Sequence, residues 1–421
     1  MTRSPVIERF LSLVGFDTQS VETAPGQEAR HPSSPGQEVL ATHIKEQIAS
    51  FPGFQPEMLT IFADGSFVVQ IPASQGFEGK PHVAFAAHLD TYYNFSGATK
   101  PIIRVNYSGG DITLPNGGTV ITAEDLKGLE GKTIITSDGG SVLGSDDKAG
   151  VAAIIEVLKQ ILEGNGGSHG PLTFWFCVDE EIGQLDISVL PEDLVKSWAI
   201  LWTVDGSEVG KIDIGCFVCR KIFATFKGVD SHPGEYGKKL KPAHYAAIWL
   251  AAAIGTDGQY LTPMETSGLE SFHYVTSIEG NASKATVILV PRTFDKDESE
   301  EMAKEIRELA ERAATEYGVE FTFEDKLMCG NTVEGIEANR PLVQVGVNAH
   351  EGQGFEVIEH QCRGGTDGAM INMKYPDLPA PNMGHGGRLF HGPSEFLVVE
   401  ELEAVPNIIM DMIAEYAVFA E

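Results

Sequence analysis

Histidine and carboxylate side chains concentrate in five short segments of this chain. The segments are Ala87-His88-Leu89-Asp90, Gly144-Ser145-Asp146-Asp147, Val178-Asp179-Glu180-Glu181, Val204-Asp205-Gly206 and Phe390-His391-Gly392. Imidazole and carboxylate donors without thiolates suit zinc, cobalt or manganese in a hydrolytic site. Two histidines and three carboxylates from these segments could hold two metal ions. One of the five ligands would then have to bridge the ions, and coordination positions would stay open for water.

The spacing inside these segments suggests separate roles. His88 and Asp90 lie two residues apart on a predicted strand, so both side chains point to the same face. Asp90 can therefore hydrogen-bond the imidazole of His88 and fix its tautomer, as the supporting group of a metal-bound histidine does. Glu180 and Glu181 point to opposite sides of an extended backbone, so one can bind metal while the other acts as a base. Asp146 opens a predicted helix and is also compatible with an ordinary N-cap.

The segments follow runs that are predicted to form buried strands. Apolar runs of strand length lie at Val83–Ala87, Thr133–Thr136, Leu172–Val178 and Ala199–Val204. Several are nearly continuous, which is typical of strands covered on both faces. An amphipathic helix is predicted at Ala149–Leu162. Because α/β sheets place their sites at strand ends, the pattern predicts a mixed-sheet α/β/α catalytic domain.

A different order of elements interrupts this domain. Strand, helix, strand, strand, helix and strand are predicted in turn at Phe217–Phe226, Pro242–Ile254, Ser271–Glu279, Lys284–Pro291, Glu298–Tyr317 and Val319–Asp325. This β-α-β-β-α-β order is that of a ferredoxin-like α+β unit. We therefore predict a catalytic domain in two parts, residues 1–215 and 331–421, with an inserted domain at 216–330.

Length and charge narrow the classes of function. A chain of 421 residues is too long for one ordinary core, and its formal net charge of −30 disfavours nucleic acid and anionic membranes as partners. The sequence contains no run of roughly 20 apolar residues, as a membrane helix requires. The first 15 residues are typical of an amphipathic helix rather than a signal peptide.

The cysteines predict a reducing compartment. Five widely spaced cysteines do not form a disulfide framework, so a cytoplasmic location is expected. Cys216-Phe217-Val218-Cys219 has C-x-x-C spacing, but it lacks a second such pair. Two ordinary thiols are therefore predicted there, rather than zinc or redox chemistry.

The motifs HLD, GSDDKAG, DEEIG, VDG, RGGTDG and FHG together resemble the peptidase T branch of the cocatalytic dizinc exopeptidases. That family also includes carboxypeptidase G and succinyl-diaminopimelate desuccinylase. Tyr107–Ile112 and Arg363–Gly368 are similar to the peptidase T branch specifically. The resemblance implies a zinc-dependent aminopeptidase that acts on short peptides, notably tripeptides, and a homodimer formed through the inserted domain.

The resemblance also implies a set of metal ligands. His88 and Asp205 would bind one zinc ion. Glu181 and His391 would bind the other, and Asp146 would bridge the two ions.

Further residues match positions that act on the substrate in this family. Glu180 would be the general base, His232 in a His-Pro-Gly turn would approach the substrate, and Arg363 would hold a substrate carboxylate. Asn94 and Lys284 stand where the branch has an acid and an arginine. Substrate contacts at these two positions are therefore expected to differ from those of the branch.

Two other functions fit the same residues. A related dizinc amidohydrolase, such as a deacylase, desuccinylase or dipeptidase, would use the same metal ions on a different acyl group. A non-catalytic peptide- or metal-binding protein would keep the fold. Such a protein needs the metal ions at most, so Glu180 beside the ligands argues against it.

Overall fold

The computed structural model describes residues 3–22, 30–183, 187–255 and 260–419. Its contacts divide the chain into two compact units. Unit 1 comprises Met1–Ile214, Thr332–His360 and Thr366–Glu421, and unit 2 comprises Gly215–Asn331 and Gln361–Gly365. Residues 361–365, which the sequence analysis assigned to the second part of the catalytic domain, thus pack with unit 2.

The helices and strands are numbered in chain order. The helices are α1 (Pro5–Leu13), α2 (Pro35–Ala49), α3 (Ser145–Leu162), α4 (Glu192–Ser197), α5 (Pro233–Tyr236), α6 (Ala243–Gly255), α7 (Lys296–Tyr317), α8 (Val333–Ala338), α9 (Arg340–Gly352), α10 (Asp367–Asn372) and α11 (Val399–Val418). The strands are β1 (Leu59–Ile61), β2 (Phe67–Ile71), β3 (Val83–His88), β4 (Ile102–Arg104), β5 (Ile112–Thr113), β6 (Val120–Ile121), β7 (Ile134–Thr136), β8 (Leu172–Cys177), β9 (Ile200–Gly206), β10 (Lys211–Cys216), β11 (Val218–Lys227), β12 (Val275–Gly280), β13 (Lys284–Leu289), β14 (Arg292–Thr293), β15 (Glu320–Cys329), β16 (Ile358–Cys362), β17 (Asn382–Gly384), β18 (Gly387–Arg388) and β19 (Phe396–Val398). Among the described helices, none combines the length and apolar character that crossing a bilayer requires.

Unit 1 is built around an eight-stranded mixed sheet with the order β1-β2-β8-β3-β9-β17-β10-β16. Strand β3 pairs in parallel with β8 and β9, whereas β2 is antiparallel to β8. Every residue of β3 and β8 is buried, so both faces of the sheet are covered at its centre. Helix α3 packs against β3 and β9. The predicted mixed-sheet α/β fold class is confirmed.

A second, four-stranded antiparallel sheet with the order β18-β19-β7-β4 completes unit 1. The apolar run Thr133–Thr136 forms β7 and belongs to this sheet, not to the main one. Its partners, β4 and β19, come from distant parts of the sequence, so the run alone does not identify them. The hairpin of β18 and β19 encloses residues 389–395, and this loop contributes to the site described below.

Unit 2 contains a five-stranded antiparallel sheet covered by α6 and α7. Strands β12, β13 and β11 lie side by side, and β15 pairs with the other edge of β11. Counting β11, β12, β13 and β15 as first to fourth, the sheet order is 4-1-3-2. The unit has its own core, which includes Ile222, Phe226, Leu250, Val287 and Ile306. The predicted ferredoxin-like arrangement is confirmed.

The observed bounds extend beyond the predicted ones where capping or pairing adds residues. Helix α7 begins at Lys296 because the side chain of Asp295 accepts a hydrogen bond from the amide of Glu298 at 2.8 Å. The helix ends at Gly318, whose φ of 62° suits a left-handed C-cap. Strand β15 continues to Cys329, since it pairs with β11 over this whole length.

The close approach of α9 to the main sheet gives a test of the packing in unit 1. A Cβ atom at Gly346 would lie 2.3 Å from Cη2 of the buried Trp202. The indole is also held by a 2.9 Å hydrogen bond from its Nε1 to the hydroxyl of Tyr416. We expect Gly346→Ala to lower the free energy of unfolding by about 1–3 kcal/mol, because the added methyl group overpacks a rigid ring. Urea denaturation measures this change.

Gly352→Ala is the matched control for this prediction. Gly352 lies in the last turn of the same helix, where an added Cβ would meet no atom within 4 Å. This variant should retain the wild-type midpoint or exceed it slightly, since alanine favours helix over glycine. Equal midpoints for the two variants would contradict the proposed close packing on Trp202.

Candidate active site

The central strands of the main sheet bring the predicted residues to one edge. His88 ends β3, Glu180 and Glu181 follow β8, and Asp205 lies near the end of β9. These three strands are adjacent and parallel, so their carboxyl ends meet at the same edge of the sheet.

Asp146 lies between two imidazoles. Its Oδ1 is 2.8 Å from Nε2 of His88, and its Oδ2 is 3.3 Å from Nε2 of His391. Each imidazole nitrogen also faces a second carboxylate. Asp205 Oδ1 lies 3.6 Å from Nε2 of His88, and Glu181 Oε2 lies 3.1 Å from Nε2 of His391. The structure thus brings together the five residues predicted as metal ligands.

The position of Asp146 is fixed by Glu395, a residue that the sequence analysis missed. Glu395 is buried and accepts hydrogen bonds from the backbone amides of Gly144, Ser145 and Asp146, at 2.8, 2.7 and 3.1 Å. Asp146 and Asp147 have non-helical backbone angles, and Asp147 accepts the amide of Gly150 at 3.2 Å, so Asp147 and not Asp146 caps the regular part of α3. Position 395 follows His391 closely, and this was the available signal for it.

Asp90 supports three of the site residues at once. Its Oδ1 lies 3.3 Å from Nδ1 of His88 and accepts the amide of Glu180 at 3.1 Å. Its Oδ2 accepts the amide of Glu181 at 3.1 Å and the hydroxyl of Ser20. Glu180 and Glu181 belong to a 3₁₀ turn, so the expectation of an extended backbone at this point is wrong. The turn places both amides toward Asp90.

Asp179 anchors this turn from the opposite side. Its φ of 61° lies in the left-handed region, and its buried carboxylate accepts the amide of Ser33 at 2.9 Å and the side-chain amide of Gln37 at 2.8 Å. Nδ1 of His31 lies 3.0 Å from the same carboxylate. One of the three consecutive acids is therefore neutralised by hydrogen-bond donors and serves a structural role.

His391 lies on the loop between β18 and β19. Its ring stacks on that of Tyr92, with centroids 4.4 Å apart and an interplanar angle of 1°. The exposed Asn94 donates from Nδ2 to the hydroxyl of Tyr92 at 3.1 Å, so Asn94 lies at the rim of the site. No sequence pattern marked Tyr92 as a residue of the site.

The site concentrates negative charge in a buried place. Burial, together with repulsion from Asp146, raises the pKa of Glu181 to about 7 and that of Asp205 to about 8. Burial also raises the pKa of Glu180 well above its usual range. Burial lowers the pKa of His391, but hydrogen bonds to Asp146 and Glu181 outweigh it and raise this pKa to about 12. The carboxylates therefore favour positive charge at the imidazoles.

The donor atoms fit a metal centre. His88, Asp146 and Glu181 place one ligand atom each within 4.8 Å of one another, and so do His88, Asp147 and Asp205. Among the described residues, Oε1 of Glu181 is buried without a hydrogen-bond partner. A buried carboxylate oxygen without a donor is costly, and a bound cation removes that cost. Imidazole and carboxylate donors suit zinc, cobalt or manganese.

The remaining predicted residues belong to unit 2. His232 is exposed at the N-cap of α5, and Lys284 is exposed at the start of β13. Arg363 donates from Nη1 to the carbonyl oxygens of Gly268 and Glu270, at 2.8 and 3.1 Å. Its guanidinium is thus held by backbone groups of the same unit.

Solved structures share this fold. Aminopeptidase PepT from Bacillus cereus ATCC 10987 matches with a TM-score of 0.68 at 21% identity, over 98% of each chain. A dinuclear metal-binding peptidase of the M20 family from Bacillus subtilis matches with a TM-score of 0.62 at 15% identity, over 99% of this chain and 98% of that one. At these identities the likeness concerns the fold.

Sequence comparison extends the likeness beyond the fold. The family model of peptidase family M20/M25/M40 matches residues 144–415, which is more than half of the chain. Peptidase T from Geobacillus sp. (strain WCH70) is 32% identical over 418 residues, covering 98% of each chain. The family resemblance inferred from the motifs is confirmed, and the chain belongs to peptidase family M20/M25/M40.

Proposed function

We propose that this protein is a dizinc aminopeptidase that removes the N-terminal residue from short peptides, with tripeptides as the main substrates. The observation that carries the proposal is the position of Asp146, with one carboxylate oxygen toward His88 and the other toward His391. A carboxylate shared in this way supports two adjacent cation sites. The relatives named Peptidase T support the peptide substrate.

The distances support a division of the ligands into two groups. His88 and Asp205 would hold one zinc ion, and Glu181 and His391 the other, because the members of each pair face each other. Asp146 would bridge them. Cobalt or manganese could replace zinc, since both accept the same donor atoms.

Glu180 is the proposed general base. Two bound metal ions would lower the pKa of water and polarise the scissile carbonyl. The backbone amide of Glu180 donates a 3.1 Å hydrogen bond to Asp90, and the charges of His88, Asp205 and Glu181 act on the Glu180 carboxyl group. Glu180 would accept a proton from the attacking water and deliver it to the leaving amine. That delivery is required because an unprotonated amide nitrogen is a very poor leaving group.

Replacing the base should separate metal binding from turnover. We expect Glu180→Gln to keep two metal ions per chain while kcat falls by about 10²–10⁴-fold, because the amide cannot accept the proton. Metal analysis combined with steady-state kinetics on a tripeptide measures both. Glu163→Gln, at an exposed position after α3, is the control and should match the wild type. A metal-replete Glu180→Gln variant with wild-type kcat would rule out this role.

Removing the proposed bridge should affect both ions. We expect Asp146→Ala to lose both metal ions, whereas Asp205→Ala or Glu181→Ala should each weaken mainly one. Titration with zinc followed by metal analysis distinguishes these results. The exposed Asp193→Ala is the control for removal of a carboxylate. If Asp146→Ala still binds two zinc ions at wild-type affinity, the bridge is another residue.

The choice of substrate class requires a direct assay. A panel of dipeptides, tripeptides, tetrapeptides and N-acylated peptides separates an aminopeptidase from a deacylase, desuccinylase or dipeptidase. The proposal requires the highest kcat/KM on tripeptides with a free amino terminus. Turnover restricted to N-acylated peptides would instead support the related amidohydrolase.

We also propose that the protein is a homodimer formed through unit 2. The edge strand β12 and the adjacent α6 expose Ile278, Tyr245 and Ile248, each by about half of its side chain. A sheet edge and a helix face that expose these apolar side chains together suit a second copy of the chain. Among the described residues the cysteines form no disulfide bond, which supports a reducing compartment, and the cytoplasm is the proposed location.

His232 is the proposed contributor from unit 2. Its Nδ1 accepts the amide of Glu235 at 3.1 Å, so in the neutral ring Nε2 carries the proton and is exposed as a donor. Such a donor can stabilise the developing oxyanion. Asn94 and Lys284 are proposed substrate contacts. For Arg363 to bind a substrate carboxylate, that carboxylate must use the remaining N–H groups of the guanidinium or replace the carbonyl oxygens that its Nη1 contacts.

Mixed dimers test whether His232 acts across the interface. We expect His232→Ala to lower kcat by about 10²–10³-fold with metal content unchanged, because one oxyanion donor is lost. Mixing this variant with Glu180→Gln should restore activity, since one protomer then supplies the metal ions and base and the other the histidine. Each variant alone is the control. A fully active monomer would contradict the proposed dimer. A mixture without recovered activity would indicate that His232 acts on the site of its own chain.

A further inference from the structure

Two cysteines in unit 2 lie directly opposite each other. Cys219 of β11 and Cys329 of β15 are register partners in the antiparallel pair. Both sulfur atoms lie near the carbonyl oxygen of Phe217, at 3.5 and 3.4 Å, and the two side chains are close enough to hydrogen-bond each other. Opposed residues of antiparallel strands have Cα atoms about 4.5–5.5 Å apart, which is within the range of disulfides. The two sulfur atoms can therefore be joined with little movement of the backbone.

Gly365 leaves space for the two thiols because it has no side chain. A Cβ atom at Gly365 would lie 2.7 Å from the sulfur of Cys329 and 3.8 Å from that of Cys219. Any other residue at 365 would therefore displace the thiols. The thiol pair differs from the one suggested by the C-x-x-C spacing, because Cys219 faces Cys329 across the strands and not Cys216.

Arg292 gives Cys219 a charged neighbour. Its Nη1 contacts the sulfur of Cys219, and among the described residues no Asp or Glu forms an ion pair with this guanidinium. A partly buried guanidinium without a carboxylate requires another anion. A thiolate at Cys219 supplies it, since cationic neighbours stabilise thiolates.

The proton distribution between the two thiols agrees with this geometry. Burial raises the pKa of Cys219, but the hydrogen bond from Cys329 and the charge of Arg292 outweigh burial and lower it overall. The hydrogen bond to Cys219, together with burial, raises the pKa of Cys329 well above its usual range. Cys219 is therefore the nucleophile of the pair and Cys329 the thiol that donates to it.

We propose that Cys219 and Cys329 form a reversible disulfide when the protein meets hydrogen peroxide, with Cys219 as the attacking thiolate. This inference is independent of the peptidase function. The bond would connect β11 and β15, the first and last long strands of unit 2. The side chains of the two residues are buried, with 3% and 5% exposure, so a small peroxide is the fitting oxidant rather than a bulky disulfide.

The chemistry balances in two steps. The Cys219 thiolate attacks one peroxide oxygen, the O–O bond breaks, and the departing hydroxide is protonated to water, which leaves a sulfenic acid at Cys219. The sulfur of Cys329 then attacks the sulfur of Cys219, the S–O bond breaks, and the departing hydroxide takes the proton of Cys329 to form a second water. Two thiols are oxidised by two electrons and one peroxide is reduced. A dithiol reductant reverses the bond by exchange.

Peptide mapping tests the connectivity. The full-length protein is treated with hydrogen peroxide, its remaining thiols are alkylated under denaturing conditions, and the digest is analysed by mass spectrometry. We expect a linked pair of peptides containing Cys219 and Cys329 that dithiothreitol separates. Cys177, a buried cysteine of unit 1, is the internal control and should stay reduced, since burial first of all raises its pKa. A link to Cys216 or Cys362, or no link at all, would overturn the proposal.

Single variants test the order of the two steps. In Cys329→Ser the sulfenic acid at Cys219 has no resolving thiol, so dimedone should label Cys219. In Cys219→Ser the remaining Cys329 lacks the arginine contact and should not be labelled. Equal labelling of both variants would refute the assigned nucleophile, and this comparison needs no substitution of the arginine.

The role of the guanidinium is tested by Arg292→Met, which keeps much of the side-chain volume without the charge. Labelling of Cys219 in the Arg292→Met, Cys329→Ser double variant should be about tenfold slower than in Cys329→Ser alone, because less of Cys219 is thiolate. Circular dichroism identifies any loss of fold. If Arg292→Met does not fold, Arg292→Lys, which retains the charge, is used in its place. Cys219 in the Arg292→Lys, Cys329→Ser double variant should then be labelled at the same rate as in Cys329→Ser alone. An unchanged rate in folded Arg292→Met, or a slowed rate in Arg292→Lys, would contradict the proposed activation.

Discussion

Carboxylates and imidazoles meet at the carboxyl edge of the main sheet in a fixed alternation, with Asp146 between His88 and His391 and a further carboxylate beyond each ring. In this buried position the carboxylates repel one another, and water cannot solvate them fully. Glu181 and Asp205 accordingly have raised pKa values of about 7 and about 8. Holding these groups together requires positive charge between them and a backbone that cannot relax away. The rest of unit 1 supplies that backbone.

The acids of the site divide into two classes by what they bind. Asp90, Asp179 and Glu395 are buried and saturated by backbone amides, hydroxyls or imidazoles, so they fix loops. Glu181 keeps a buried oxygen without a hydrogen-bond partner among the described residues. Backbone donors therefore hold the positioning acids, whereas this oxygen of Glu181 is available to a cation. Sequence alone does not separate these classes, because both consist of Asp and Glu at strand ends.

Strands β3, β8 and β9 were predictable because continuous apolar runs form them, and His88, Glu180, Glu181 and Asp205 lie at or directly after the ends of these runs. The contacts between residues far apart in the sequence were not predictable in this way. Glu395 reaches the amides of α3 across roughly 250 positions of sequence, and Cys219 meets Cys329 only because β11 and β15 pair along their length. The turn at Glu180 depends on Asp90 and Asp179, so local propensity for an extended chain was overridden by tertiary hydrogen bonds.

The proposed metal site and the thiol pair belong to different units of the chain, so the two can coexist. The proposed ligands lie at the ends of β3, β8 and β9, at the start of α3 and in the loop between β18 and β19, so they depend on the fold of unit 1. Unit 2 has a separate core, and its thiol pair lies between β11 and β15, beside Arg292 and Gly365. A covalent bond between its first and last long strands would therefore alter unit 2 without displacing a metal ligand. The guanidinium beside Cys219 favours its thiolate, whereas burial limits the reagents that reach it.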